Sequence, residues 1–154
     1  MSTNWYDFSS SLGYLTVTSA RLFAAATNRA LAEAGVGLTA EQWAMLQTLV
    51  NEDGRTQDEL LRFTRYEKSS LSRLLDGMER KGLIRRERGA SDARKRNVFI
   101  TGKGREQGKI GTELNREVLK ILYSGIDEGD LDTCREVLEH IQNGLLRILR
   151  KEEI

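Results

Sequence analysis

The order of signals between residues 55 and 101 leaves few folds open. Thr56-Gln57-Asp58-Glu59 is a capping box, in which the Thr56 hydroxyl and the Glu59 carboxylate each satisfy a backbone donor left free at a helix start. Leu60, Leu61 and Phe63 follow as the expected buried side of that helix. A second helix is predicted from Glu67, whose carboxylate can cap it, and Leu71, Leu74, Leu75 and Met78 then fall at the i, i+3, i+4, i+7 spacing of one apolar face. Its opposite face holds Tyr66, Ser69, Arg73, Asp76 and Arg80, with Ser70 and Ser72 at the margins. Lys81-Gly82 ends the helix, because Gly takes the left-handed conformation that closes a helix and Lys sits at the negative end of its dipole.

Two short, partly alternating runs come next, Leu83 to Arg88 and Asn97 to Thr101. The segment Gly89-Ala90-Ser91-Asp92-Ala93-Arg94-Lys95-Arg96 between them contains turn formers and three consecutive cations. This predicts a β-hairpin with a basic tip. Helix, turn, polar-faced helix and basic hairpin together describe a winged helix-turn-helix, in a chain that is mainly α with a small β-hairpin wing.

Charge supports that reading once it is divided by position. Residues 55 to 109 hold 16 Lys or Arg against 8 Asp or Glu, a balance of +8, whereas the remainder holds 8 against 15; the net of +1 hides this segregation. A basic middle points to a polyanion, with a merely solvated basic face as the alternative. At 154 residues, 39% apolar and 31% charged, the chain has the composition of a soluble globular protein with one substantial core. Residues 1 to 9 lack a positive region followed by an apolar run, and no stretch approaches the roughly 20 apolar residues that span a bilayer. The expected location is therefore the cytoplasm, away from any membrane, and a single cysteine, Cys134, agrees with a reducing compartment.

Apolar residues Leu12, Leu15, Val17, Leu22, Phe23, Ala26 and Ala30 recur at near-helical spacing between Ser10 and Ala34, where Gly35 to Gly37 break the pattern. A second capping box, Thr39-Ala40-Glu41-Gln42, opens a helix expected to bury Trp43, Leu46 and Leu49 or Val50. Thr101 is placed to cap the following helix, which Gly102, Gly104, Gly108 and Gly111 should weaken at its start, suggesting a hinge. That helix has Ile110, Leu114, Val118, Ile121 and Leu122 along one side. A last helix, capped near Asp127, has Leu131, Cys134, Leu138, Ile141, Leu145, Ile148 and Leu149 at steps of three or four. These stripes exceed what one winged helix can cover, so a homodimer with intertwined terminal helices is expected. The predicted organisation is one domain, 1–154, with two lobes: a winged-helix DNA-binding lobe at 38–104, and dimerisation helices at 9–35 and 105–150.

Catalysis finds little support. The phosphate-loop pattern counted back from Gly108-Lys109 requires Gly at 103 and Ser or Thr at 110, where Lys103 and Ile110 stand. One His and one Cys cannot build a zinc site of four such ligands, and no cofactor is expected. His140 reads as a surface or interface residue. Cys134 lies near a helix start, where the dipole favours a thiolate while Asp130 and Asp132 oppose it; ordinary packing is the plainer reading and a thiol-based redox sensor the alternative.

The run from Thr56 through Ser69-Ser70-Leu71-Ser72-Arg73-Leu74-Leu75-Asp76 to Lys81-Gly82-Leu83-Ile84, followed by Asp92, Arg94, Val98 and Ile100, resembles the MarR family of bacterial transcriptional regulators. One departure stands out: the turn between the two helices usually has a Gly where this chain has Arg65, a residue poorly suited to positive φ. The resemblance implies a dimeric DNA-binding regulator, usually a repressor, released by a small aromatic or anionic effector bound between lobe and dimer helices. Double-stranded DNA would meet Lys68, Ser69, Ser70, Ser72 and Arg73 of the recognition helix, with Arg73 able to grip a guanine edge through two hydrogen bonds. On the wing, Arg94 is the expected minor-groove probe, with Lys95 and Arg96 meeting phosphate and Asp92, by resemblance, orienting Arg94. A winged helix that docks another protein instead of DNA is the alternative.

Overall fold

The computed structural model describes residues 7–88 and 96–150. A 3₁₀ turn, Phe8–Ser10, leads into α1 (Leu12–Glu33), whose cap is the Ser11 hydroxyl accepting from the Tyr14 N–H at 3.2 Å. Gly35, at φ +69°, turns the chain toward α2 (Ala40–Asn51), which opens with the expected capping box between Thr39 and Gln42. There follow β1 (Arg55–Thr56), α3 (Gln57–Thr64), α4 (Lys68–Arg80), β2 (Ile84–Arg88), β3 (Arg96–Ile100), α5 (Gly102–Leu122) and α6 (Glu128–Arg150). The class is the one the sequence predicts, mostly helical with a small antiparallel sheet. That sheet has three strands in the order β1-β3-β2, one more than the hairpin alone. β1 pairs Arg55 with Val98 and Thr56 with Asn97, and at two residues it is too short to leave any periodicity in the sequence.

The chain divides into two compact units, Met1–Val118 and Leu119–Ile154. In the first, the core gathers Leu31, Leu38, Met45, Leu46, Leu49, Leu60, Leu71, Leu75, Met78, Leu83, Ile84, Val98 and Ile100. α2 contributes Met45, Leu46 and Leu49, while Val50 is exposed and Trp43 is half-buried against this core. Each fully buried leucine is worth about 1.5–3 kcal/mol over leaving it in water. Phe63, expected inside, is 58% exposed. At 3.6 residues per turn it lies roughly 160° from half-buried Leu61, off the face that Leu60 and Leu61 share, and the Arg55 guanidinium stacks over its ring at 4.9 Å.

Two backbone expectations also change. Glu67 stands at the N-cap of α4 but makes no side-chain cap hydrogen bond. Arg65 does adopt the left-handed conformation, φ 60° and ψ 19°, and closes α3 by donating its N–H to Leu61 O at 3.0 Å. The turn geometry is thus retained with a residue that has a Cβ, at a cost of about 1–2 kcal/mol that a glycine would not bear.

The glycines of α5 lie within one unbroken helix, with no break between the wing and the helix that follows it. Gly104, Gly108 and Gly111 are buried, and the helix start is secured by Thr101, whose hydroxyl accepts from the Gly104 N–H at 3.0 Å. A Cβ on Gly104 would lie 2.1 Å from Leu83 O, and one on Gly111 would lie 2.5 Å from Cδ1 of Trp43. Their low helix propensity is accepted because the helix must approach the sheet and α2 this closely. Asp53 adds a polar tie, its Oδ1 accepting from Ile100 N at 2.9 Å and its Oδ2 from Arg105 Nη2 at 2.6 Å.

In the second unit, no α6 side chain that the structure describes is fully buried. Leu131, Leu138 and Ile141 are half-buried, whereas Leu145, Ile148 and Leu149 are exposed. No helix of the described residues is long and apolar enough to cross a membrane.

Two substitutions test this packing by urea denaturation. Gly104→Ala should lower stability by about 1–3 kcal/mol through overpacking, while Gly102→Ala, with nothing within 4 Å of its added carbon, should not. Arg65→Gly should raise stability by about 0.5–1 kcal/mol, the relief of strain exceeding the entropy a glycine adds to the unfolded chain.

Candidate nucleic-acid interface

α4 is a two-faced helix. Leu71, Leu75 and Met78 are buried on one side, which turns Ser69, Ser70, Ser72 and Arg73 outward; Lys68, on the side of Leu71 and Leu75 by helical period, is the first residue of the helix, and all five are exposed. Arg73 donates Nε–H to Ser69 O one turn back at 3.3 Å, so its guanidinium lies along the outer surface of the helix, and among the described residues it meets no carboxylate. Two residues predicted for the same outer face sit lower. Tyr66 packs partly against the core, where burial raises its phenol above the ordinary value, and Asp76 is half-buried on the flank.

The stem of the wing is fixed by the register of its strands, Ile84 opposite Ile100, Arg86 opposite Val98 and Arg88 opposite Arg96. Arg96 is exposed at the start of β3. Asp92, Arg94 and Lys95 lie outside the described residues. A cleft of about 320 Å³ brings Lys68 and Ser72 of α4 together with Arg96 and with Thr56, Gln57 and Asp58 at the start of α3. Residues 28 apart in sequence, Lys68 and Arg96, thus border one polar concavity beside the N-terminal end of a helix dipole. An anionic strand passing there would meet two cations and the free donors of α3, opposed by one carboxylate, Asp58. Glu59 is occupied in its capping box, where the Thr56 backbone and hydroxyl donors hold its carboxyl below the usual range.

Sequence reasoning missed the feature that joins the two parts. From β2, Arg86 donates Nε–H to Glu79 Oε2 at 2.9 Å and Nη2–H to both Glu79 Oε2, at 2.5 Å, and Asp76 Oδ1, at 2.6 Å. Its backbone N–H also donates to Glu79 Oε1 at 3.0 Å. The side-chain bonds to Arg86 are the main reason that the Glu79 carboxyl is held below its ordinary value of 4.5. The strand period puts Arg86 on the face of Ile84 but puts Arg88 there too, so the sequence does not mark Arg86 alone as inward-facing.

Elsewhere, Trp43 donates Nε1–H to Thr112 Oγ1 at 3.3 Å, and Thr27 donates its hydroxyl to Asn115 Oδ1 at 3.0 Å. Cys134 and His140 are exposed on α6. Among the described residues no three His, Cys, Asp or Glu side chains come close enough to hold a metal ion.

The MarR family model matches residues 36–95. The chain is 35% identical over 105 residues to the transcriptional regulator HosA of Escherichia coli O127:H6, an alignment spanning 66% of this chain and 78% of that protein. Among solved structures it resembles the transcriptional repressor CouR bound to a 23-mer DNA duplex, with 25% identity and a TM-score of 0.78, covering 87% of this chain and 94% of that one. It also resembles CouR from Rhodococcus jostii RHA1 bound to p-coumaroyl-CoA, with 21% identity, a TM-score of 0.74 and coverage of 86% and 92%.

The ionisation of Glu79 gives the interface a measurable acid limit. Its carboxyl is depressed in the folded protein, so its stabilising effect is complete above pH 4.5 and is lost as the pH falls below that through the depressed value. Glu79→Gln should therefore flatten the decline of stability with acidification below pH 4.5, read from urea midpoints at successive pH values.

Proposed function

Because the chain belongs to the MarR family and is a DNA-binding winged-helix transcriptional regulator, we propose that it works as a homodimeric repressor of a palindromic operator. In this reading α4 enters the major groove. Arg73 grips a guanine edge, Lys68, Ser69, Ser70 and Ser72 contact bases or backbone, and Arg94, oriented by Asp92, enters the minor groove while Lys95 and Arg96 meet phosphate. The observation that carries the reading is the outward side of α4, polar and basic along the length of Lys68 to Arg73 and free of carboxylate partners among the described residues.

Dimerisation is supported by apolar surface that a single chain leaves in water. Leu12, Leu15, Val17 and Leu22 of α1 are exposed, as are Leu145, Ile148 and Leu149 of α6, and such concentrations of apolar side chains on a soluble protein favour a partner surface. The proposed lobes are 38–104 for DNA, and 9–35 with 105–150 for the dimer. The proposed effector is a small aromatic or anionic molecule, a class that includes the p-coumaroyl-CoA bound to CouR. It would release DNA only to the extent that it binds one spacing of the lobes more tightly than the other. The protein would act in the cytoplasm.

Selection of bound duplexes from a random pool tests the reading. The expected product is an inverted repeat with half-sites about 10 base pairs apart; retention of no duplex at low salt would overturn it. Arg73→Ala should relax preference at one position by about 1–3 kcal/mol, whereas Lys95→Ala should weaken every duplex alike and reduce the salt slope by about 1. Sedimentation should give a mass of twice 17.4 kDa; a stable monomer would remove the dimer.

A further inference from the structure

Apolar contacts hold α4 down but do not aim it. The interactions of Leu71, Leu75 and Met78 with the core are non-directional, so on their own they tolerate small rotations of the helix about its axis. A shift of that kind would move the outer side chains relative to the wing. The polar contact that links α4 directly to the wing is the node of Arg86 with Asp76 and Glu79. A planar guanidinium spans two carboxylates at i and i+3 on the flank of α4, and its own strand is locked in register to β3, which begins at Arg96.

Arg86 itself is not placed to meet DNA. Its side chain is only 12% exposed, against 43% for Asp76 and 38% for Glu79, and its Nε and Nη2 donors point at those carboxylates. Partial burial of a charge is costly and is tolerated when the hydrogen bonds are made, and such buried ion pairs serve best to fix one arrangement among several. We infer that Arg86 is a positioning residue: by bridging Asp76 and Glu79 to β2 it fixes the rotation of α4 relative to the wing, and so sets which duplex sequences the protein prefers. This rests on the DNA-binding reading above and adds a specificity determinant to it.

The test compares affinity for the selected duplex pool with affinity for a random duplex of the same length, for the wild type, for Arg86→Gln, and for the double variant Asp76→Asn with Glu79→Gln. The ratio of the two affinities does not depend on how much of a preparation is folded. Opening the node from either side should lower that ratio roughly tenfold or more, a loss comparable to leaving one base pair unread. Binding to random duplex should move in opposite directions, weaker for Arg86→Gln and tighter for the double variant, because one removes a positive charge and the other two negative charges. The salt slope of Arg86→Gln on random duplex should change by well under 1, because a charge lost away from the phosphates acts only through the screened field of the protein.

An unchanged ratio in both variants would overturn the inference and leave the node as a stabilising contact alone. A salt slope reduced by about 1 would also overturn it, since Arg86 would then be a direct phosphate ligand. If Arg86→Gln does not fold, Glu79→Gln alone supplies the comparison, with a smaller fall in the ratio expected and an unchanged ratio overturning the inference. A wild type that selects no duplex would instead defeat the DNA-binding reading, so the two failures are distinguishable.

Discussion

Everything that α4 can do depends on the burial of one side of it. Leu71, Leu75 and Met78 are withdrawn almost completely from water, and by helical geometry this turns Ser69, Ser70, Ser72 and Arg73 outward. Hydrophobic burial supplies most of the energy that docks the helix. The same contact that stabilises the unit therefore presents its polar face, and the two cannot be separated by mutation of the buried residues.

Burial fixes which face is out, and polar contacts fix finer placement. Lys81, at the C-cap of α4, donates Nζ–H to Gly37 O and to Gln42 Oε1, each at 2.8 Å, tying the end of the helix to α2 and the turn before it. Asp53 ties β3 to α5, and Arg86 ties β2 to α4. Each joins separate elements and each uses a charged group whose hydrogen bonds have direction, which apolar packing lacks. The unit is apolar at its centre and charge-pinned at its joints.

Close approach is the third constraint. α5 lies so near Leu83 and Trp43 that glycine is required at 104 and 111, and these two positions seat the helix against the sheet and α2. Arg65 is the opposite case, a position where the turn favours glycine and the chain has arginine in left-handed geometry. One site yields helix propensity to packing, and the other yields local comfort to topology.

Much of this was legible in the residues alone. Both capping boxes, the Gly82 stop, the apolar spacing of α4 and the basic hairpin are encoded within a few residues of one another, because hydrogen bonds at a helix start and the period of a helix are local properties. The exposure of Ser69, Ser70, Ser72 and Arg73 follows from the same local period. What the residues could not reveal depends on distance in three dimensions: the two-residue β1, the exposure of Phe63, the seating of the α5 glycines, and the inward turn of Arg86 between two exposed arginines of its strand. Those follow from strand register and from how closely one element approaches another, and such quantities exist only once the core has brought distant segments together.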